Sequence, residues 1–256
     1  AFEALLEMTR RSIHHLGVVE GRRLVAVVSS HDMVLAEGAH PLALARAIEA
    51  EESLDALAAS ATRLAGVVRW LAAGGARASE IGRLVAELND RLVTRSLTLV
   101  ERALEAEGHG RPPVPYSWLV AGSEGRREQT LKTDQDNALV YSDSPAEDDA
   151  SSYFALLAGR MGAALVRLGF PACPGGFMAS NPRWRKPARV WREYFTSWME
   201  NPLPEAIVDA SLFFDLRPVA GDPGPGGALW DWVCERAPGS TLFLRYLARD
   251  AVLRPS

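Results

Sequence analysis

Residues 117–141 constrain this chain more than any other stretch. Two short apolar runs, 117–121 and 138–141, flank a charged connection that carries glycine and ends in Asp134-Gln135-Asp136. Apolar runs this short, bounded by polar turns, predict strands buried in a sheet that helices cover. The rest of the chain then has to supply those helices, and the expected class is α+β, a small mixed sheet flanked by helices.

The chemistry of this stretch lies in its polar residues. Gly122-Ser123 closes the first apolar run, and ten residues separate it from Asp134. On a strand, residues i and i+2 share a face at roughly 6–7 Å. Two carboxylates held side by side repel, so one takes up a proton unless a cation lies between them. Mg²⁺ prefers carboxylate oxygens, keeps several waters and is commonly completed by substrate phosphates. Asp134 and Asp136 are therefore candidate metal ligands and catalytic residues, with Mg²⁺ or Mn²⁺ as the cofactor. Gly122 removes a side chain where backbone approaches a phosphate, and Ser123 offers a hydroxyl and an N–H to the same group. Arg126, Arg127 and Lys132 carry charge that offsets a triphosphate. Glu128, Gln129 and Asn137 are further candidates beside them. The same residues also fit a solvated turn whose aspartates cap a strand end.

Gly122-Ser123 followed by Asp134-x-Asp136 resembles the signature of the DNA polymerase beta-like nucleotidyltransferase fold. The wording GSEGRREQTLKTDQDNAL is more similar still to nucleotidyltransferase domains found downstream of paired CBS domains in bacterial proteins. Those domains are related to PII uridylyltransferases and glutamine synthetase adenylyltransferases. The resemblance implies metal ligation by Asp134 and Asp136, and a grip on nucleotide phosphates by Gly122 and Ser123. It also implies a third acidic residue on a strand near 170–180, where this sequence has no Asp or Glu.

Net charge is −4, which argues against general nucleic-acid binding, a property that favours a basic surface. A basic loop on an acidic protein suits a small anion better. The two cysteines, Cys173 and Cys234, are far apart and lack metal-ligand spacing, so they are read as thiols in a reducing compartment. No apolar run approaches the ~18 residues of a membrane span. The chain is read as a cytoplasmic piece of a longer protein.

Four segments are expected. Residues 1–38 resemble the C-terminal half of a CBS motif, with strands near 15–19 and 24–28 and a helix start at 29–32. The histidines His14, His15 and His31 lack carboxylate partners at ligand spacing. Residues 39–110 carry two apolar stripes, Leu54 to Leu71 and Ile81 to Leu99, broken at Gly74-Gly75. They predict an antiparallel helical hairpin that serves as a connector or dimer surface. Residues 111–186 hold the nucleotidyltransferase core, including a helix over 151–168 and an irregular third strand over 170–180. The basic, aromatic stretch 181–186 is either a base-and-phosphate contact or a loop packed by Trp184. Residues 187–256 predict a C-terminal helical bundle for substrate binding. Its aromatic stripe at Trp191, Tyr194, Phe195 and Trp198 has the spacing of a core face. Asp209 and Asp215, six apart, do not share a helix face cleanly. Asp215 and Arg217 are candidates for a late carboxylate and a phosphate-binding or structural arginine.

Two functions are compatible with these residues. One is metal-dependent transfer of a nucleoside monophosphate from a nucleoside triphosphate to an acceptor, which the resemblance allows to be a protein, under control of CBS domains. The other is a nucleotide-sensing module with weak or no catalysis. A homodimer is expected from the helical hairpin and the CBS resemblance.

Overall fold

The computed structural model describes residues 13–29, 41–129 and 134–253. The class is α+β. Near the N-terminus, β1 (His15–Glu20) and β2 (Arg23–Ser29) form an antiparallel hairpin. The helix start expected at 29–32 lies largely outside the described residues.

The main sheet contains β3 (Tyr116–Val120), β4 (Asn137–Tyr141), β5 (Arg185–Pro187) and β6 (Arg217–Gly221), in the order β5-β4-β3-β6. β3 runs antiparallel to β4 and β6, while β4 and β5 are parallel. Every residue of β3 and β4 is buried. The two-residue strand period divides them between faces. Tyr116, Trp118, Leu139 and Tyr141 point into one apolar cluster. Leu119, Ala138 and Val140 point into the other. A continuous apolar run is what a sheet covered on both faces requires.

The first face is covered by α1 (Pro41–Ala50), α2 (Leu54–Thr62), α3 (Leu64–Ala73), α4 (Ala78–Ala106) and α6 (Glu147–Leu168). The short α5 (Gly122–Gly125) follows β3 directly. The hairpin expected over 39–110 is in fact four helices. The stripe from Leu54 to Leu71 breaks at Arg63, whose N–H bonds the carbonyl of Ser60, three residues back, and tightens the last turn of α2. The Thr62 hydroxyl donates to the carbonyl of Ala59, a back-bond that competes with the helical ladder.

The second face is covered by α7 (Ala188–Glu200), α8 (Pro204–Phe213), α9 (Pro223–Arg236) and α10 (Thr241–Leu253). Trp191 and Phe195 are fully buried, and the Trp191 indole N–H donates to the Leu139 carbonyl. The aromatic stripe is core, as its spacing suggests. No helix among the described residues is long and apolar enough to cross a membrane.

Two strands depart from the sequence expectation. The segment 170–180 makes only an isolated bridge, Ala172 beside Gln135, and the strand at that edge is Arg185–Pro187 instead. β6 lies within the segment 187–256, for which the sequence predicts a helical bundle and no strand, yet it pairs with β3 and completes the sheet. The boundary drawn at 186 therefore passes through the sheet.

Candidate active site

The acid pair sits in the run just before β4, where Gln135 makes an isolated bridge and the side chains alternate in burial. Gln135 and Asn137 turn inward. The Gln135 amide donates to the carbonyl of Phe170, and the Asn137 side chain accepts from Ala179 N–H at 2.8 Å. Asp134 and Asp136, one residue out of phase, are half-buried on the opposite side. Ala121 N–H donates to the Asp136 carbonyl at 2.9 Å, which ties the end of β3 to the run that carries the acids. A β-carbon at Gly122, where φ is +55°, would lie 3.3 Å from Asp136 Oδ2. Glycine is needed here for both the left-handed backbone and the close carboxylate.

Cys173 joins the pair. One oxygen from each aspartate and the Cys173 Sγ lie within 4.8 Å of one another. The bridge between Gln135 and Ala172 brings this thiol alongside. It belongs to the segment 170–180, in which the resemblance implies a third acid. Burial pushes the Asp136 carboxyl above its usual range; the Cys173 thiol opposes that shift by hydrogen bonding, and the charge of Asp134 adds to it. Burial likewise raises the Cys173 thiol. A divalent cation among these three donors would reverse that logic, since it favours the charged forms. The donor set fits such an ion, and one soft ligand beside two hard ones broadens the choice beyond Mg²⁺.

Asp136 opens onto a cleft of about 750 Å³, within the usual size range of small-molecule sites. Gly122, Ser123, Arg126 and Glu128 line one wall with Asp136, and Phe177, Ser211, Leu212 and Asp215 line the other. Arg126 is the one cation among the described lining residues, against the acids Glu128, Asp136, Asp215 and Asp250. It is already engaged, with Nε on Glu128 at 2.8 Å and Nη1 on Asp215. Burial lifts the Asp215 carboxyl above its usual range and Arg126 pulls it back.

The other sequence candidates are spread more widely. Lys132 lies outside the described residues. Gln129 is buried against α4, where its amide oxygen accepts from Asn89 at 2.9 Å. Asn137 faces the core beside the sheet. Arg217 holds Asp90 of α4 through two bonds of 2.7 and 2.9 Å and donates to the carbonyls of Glu124 and Gly125. Asp209 is buried on Arg183, whose guanidinium sits 4.3 Å over the Trp184 ring. Trp184 is itself fully buried, so it packs the core while Pro182 and Arg183 of the same stretch stay exposed.

The sequence reading missed Cys173 and Glu124. Glu124 is 6% exposed, and burial, aided by the charge of Asp90, pushes its carboxyl up to about 7. Arg217 opposes that shift. No motif marks either residue, since packing of distant segments creates both environments.

No curated protein matches this chain. The family model described as "Putative nucleotidyltransferase DUF294" matches residues 62–205, a span of more than half the chain that includes the Gly-Ser turn, the acid pair and Cys173. The chain belongs to this nucleotidyltransferase family.

Proposed function

We propose that the cleft between α5 and α8 binds a nucleoside triphosphate with a divalent cation and transfers its nucleoside monophosphate to an acceptor hydroxyl. The observation that carries this reading is the meeting of Asp134 and Asp136, within ligand distance, with a glycine backbone turn at the mouth of a nucleotide-sized cleft. Asp134 and Asp136 would hold the cation, Mg²⁺ or Mn²⁺, which when bound offsets phosphate charge. Gly122 and Ser123 present a backbone with little side-chain bulk to the β- and γ-phosphates. Arg126 exchanges a carboxylate partner for phosphate oxygens. Without a cation the cleft is acidic and repels a triphosphate, so binding is metal-dependent.

In the transfer the acceptor oxygen bonds the α-phosphorus. The bond from that phosphorus to the β-bridging oxygen breaks, pyrophosphate leaves, and the hydroxyl proton is lost to solvent. The chain contributes mainly positioning and charge stabilisation. The acceptor is proposed to be a protein, a homodimer is the proposed assembly, and CBS-type segments are the proposed regulators. Residues 39–110 act in this reading as a connector and 187–256 as the substrate-binding part.

The test is pyrophosphate release from each of the four ribonucleoside triphosphates with Mg²⁺ or Mn²⁺, in the presence of cell extract as acceptor. Release that stops in Asp134→Asn/Asp136→Asn supports transfer. A second reading, a nucleotide sensor, is favoured by one observation: the group beside the acid pair is a thiol, Cys173, and no carboxylate lies in the segment 170–180 where the resemblance implies one. Metal-dependent nucleotide binding without pyrophosphate release supports the sensor and rejects the enzyme.

A further inference from the structure

A second charged cavity lies behind the Gly-Ser turn, away from the acid pair. It holds about 510 Å³ and sits between α4 and β6. Four arginines line it: Arg91 and Arg95 from α4, Arg127 from the loop after α5, and Arg217 from β6. Three acids, Glu49, Glu87 and Asp90, line it as well. Their charge is largely consumed by two of the arginines. Arg217 takes both oxygens of Asp90, and Arg91 binds Glu49 and Glu87.

The remaining two guanidinium groups are under-used. Arg95 is half-buried, and among the described residues its bond is to a backbone carbonyl, that of Glu51. Arg127 makes no hydrogen bond through its side chain there; it forms only two long ion pairs, with Asp90 at 3.7 Å and Glu87 at 3.9 Å, both carboxylates that Arg217 or Arg91 already holds more closely. Arg127 is also the one described non-glycine residue with positive φ, at +58°. An L-residue in that region costs free energy. Among the described residues no side-chain hydrogen bond offsets that cost, and two long ion pairs at a half-exposed guanidinium offset little of it. Glycine would fit the backbone better, so the guanidinium itself is the feature that arginine adds.

We infer that this cavity is an anion site for a small phosphate-bearing ligand, held by Arg95 and Arg127 against a fixed floor of Arg91 and Arg217. Guanidinium forks suit phosphate oxygens bidentately. The cavity is within the size range of small-molecule sites. The site also touches the loop of the candidate active site. Arg127 follows Arg126 directly, and Arg217 donates to the carbonyls of Glu124 and Gly125. A ligand that fixes Arg127 restrains residues 122–129, so occupancy here alters the cleft on the other side of the same loop. The binding site stands independently of what the cleft does; the effect on the cleft is a coupling between two sites.

The probe is inorganic pyrophosphate, titrated calorimetrically in EDTA. The background is the Asp134→Asn/Asp136→Asn protein, so that metal-assisted binding in the cleft does not contribute. Saturable binding is expected, with a fall in affinity of about tenfold or more when Arg95→Gln/Arg127→Gln is added, the loss of a charge-assisted bond being worth at least that factor. Arg127→Gly alone relieves the backbone while removing the charge. It is expected to keep or raise the Tm and still weaken binding. Absence of saturable binding at millimolar pyrophosphate, or unchanged affinity in Arg127→Gly, overturns the site. Hydrogen exchange of amides 122–129 is expected to slow on adding pyrophosphate; binding without that slowing overturns the coupling and leaves the site. Weakened nucleotide binding in the cleft of these arginine variants is not needed for either result, so a failure here is separable from a failure of the nucleotidyl-transfer reading.

Discussion

Gly125 shows how tightly single residues hold the active-site loop. A β-carbon there would lie 1.8 Å from the backbone oxygen of Asp215, a contact that flexible side chains cannot relieve. Gly125→Ala is expected to lower stability by about 1–3 kcal/mol or more, as overpacking against fixed backbone does, and a thermal melt reads it. An unchanged Tm would show that the loop and the 213–217 segment are not pressed together. Glu124, in the same turn, makes a prediction about pH. Its carboxyl is raised to about 7 by burial, with Asp90 and Asp136 adding and Arg217 opposing. The folded state therefore holds a proton that the unfolded state has released. Stability from this group is present below the unfolded carboxyl range, near pH 4.5, and is lost as pH rises toward 7. The full effect is on the order of 3 kcal/mol, at ~1.4 kcal/mol per unit. In metal-free buffer the Tm of the wild type should fall across that window, and Glu124→Gln should flatten the slope. A slope identical in the variant would move the proton uptake elsewhere.

At the scale of elements, β6 is held to α4 by the Arg217–Asp90 pair, in which both side chains are less than one-fifth exposed. Breaking one partner of such a pair leaves the other poorly solvated. Arg217→Gln and Asp90→Asn are each expected to cost roughly 2 kcal/mol, with the double variant costing less than their sum in a thermodynamic cycle. Strict additivity would deny the coupling. These elements also show what could be read from sequence. β3 and β4 were legible because both of their faces are buried and their residues are continuously apolar. β5 was not, since Arg185-Lys186-Pro187 looks like a loop. Arg185 is nonetheless buried, its guanidinium satisfied by the carbonyls of Ala179 and Ser180. β6 was hidden by Pro218, which an edge strand tolerates and a central one does not. Asp134 and Asp136 were legible as a pair because an i, i+2 spacing in extended backbone puts both side chains on one side. Cys173 was invisible, because its place beside them depends on Gln135 N–H bonding the Pro171 carbonyl, a pairing across 36 residues that no local rule encodes. The engagement of Arg126 by Asp215, 89 residues on, was out of reach for the same reason.

For the whole molecule, the sheet divides labour between its faces. One face, under α1–α4 and α6, is apolar and holds the scaffold together. The other, under α7–α10, is packed with aromatic rings and opens near α8 and α10 into the acidic cleft. The Gly-Ser turn sits between that cleft and the arginine cavity behind it, so both sites act on one short segment. In the proposed reading, Asp134 and Asp136 make nucleotide binding depend on a divalent cation. The decisive measurement is calorimetry with a nucleoside triphosphate, with and without Mg²⁺ or Mn²⁺. Metal should strengthen binding in the wild type, and Asp134→Asn/Asp136→Asn should remove that strengthening while leaving the protein folded. Metal-enhanced binding that survives the double substitution would contradict the assignment.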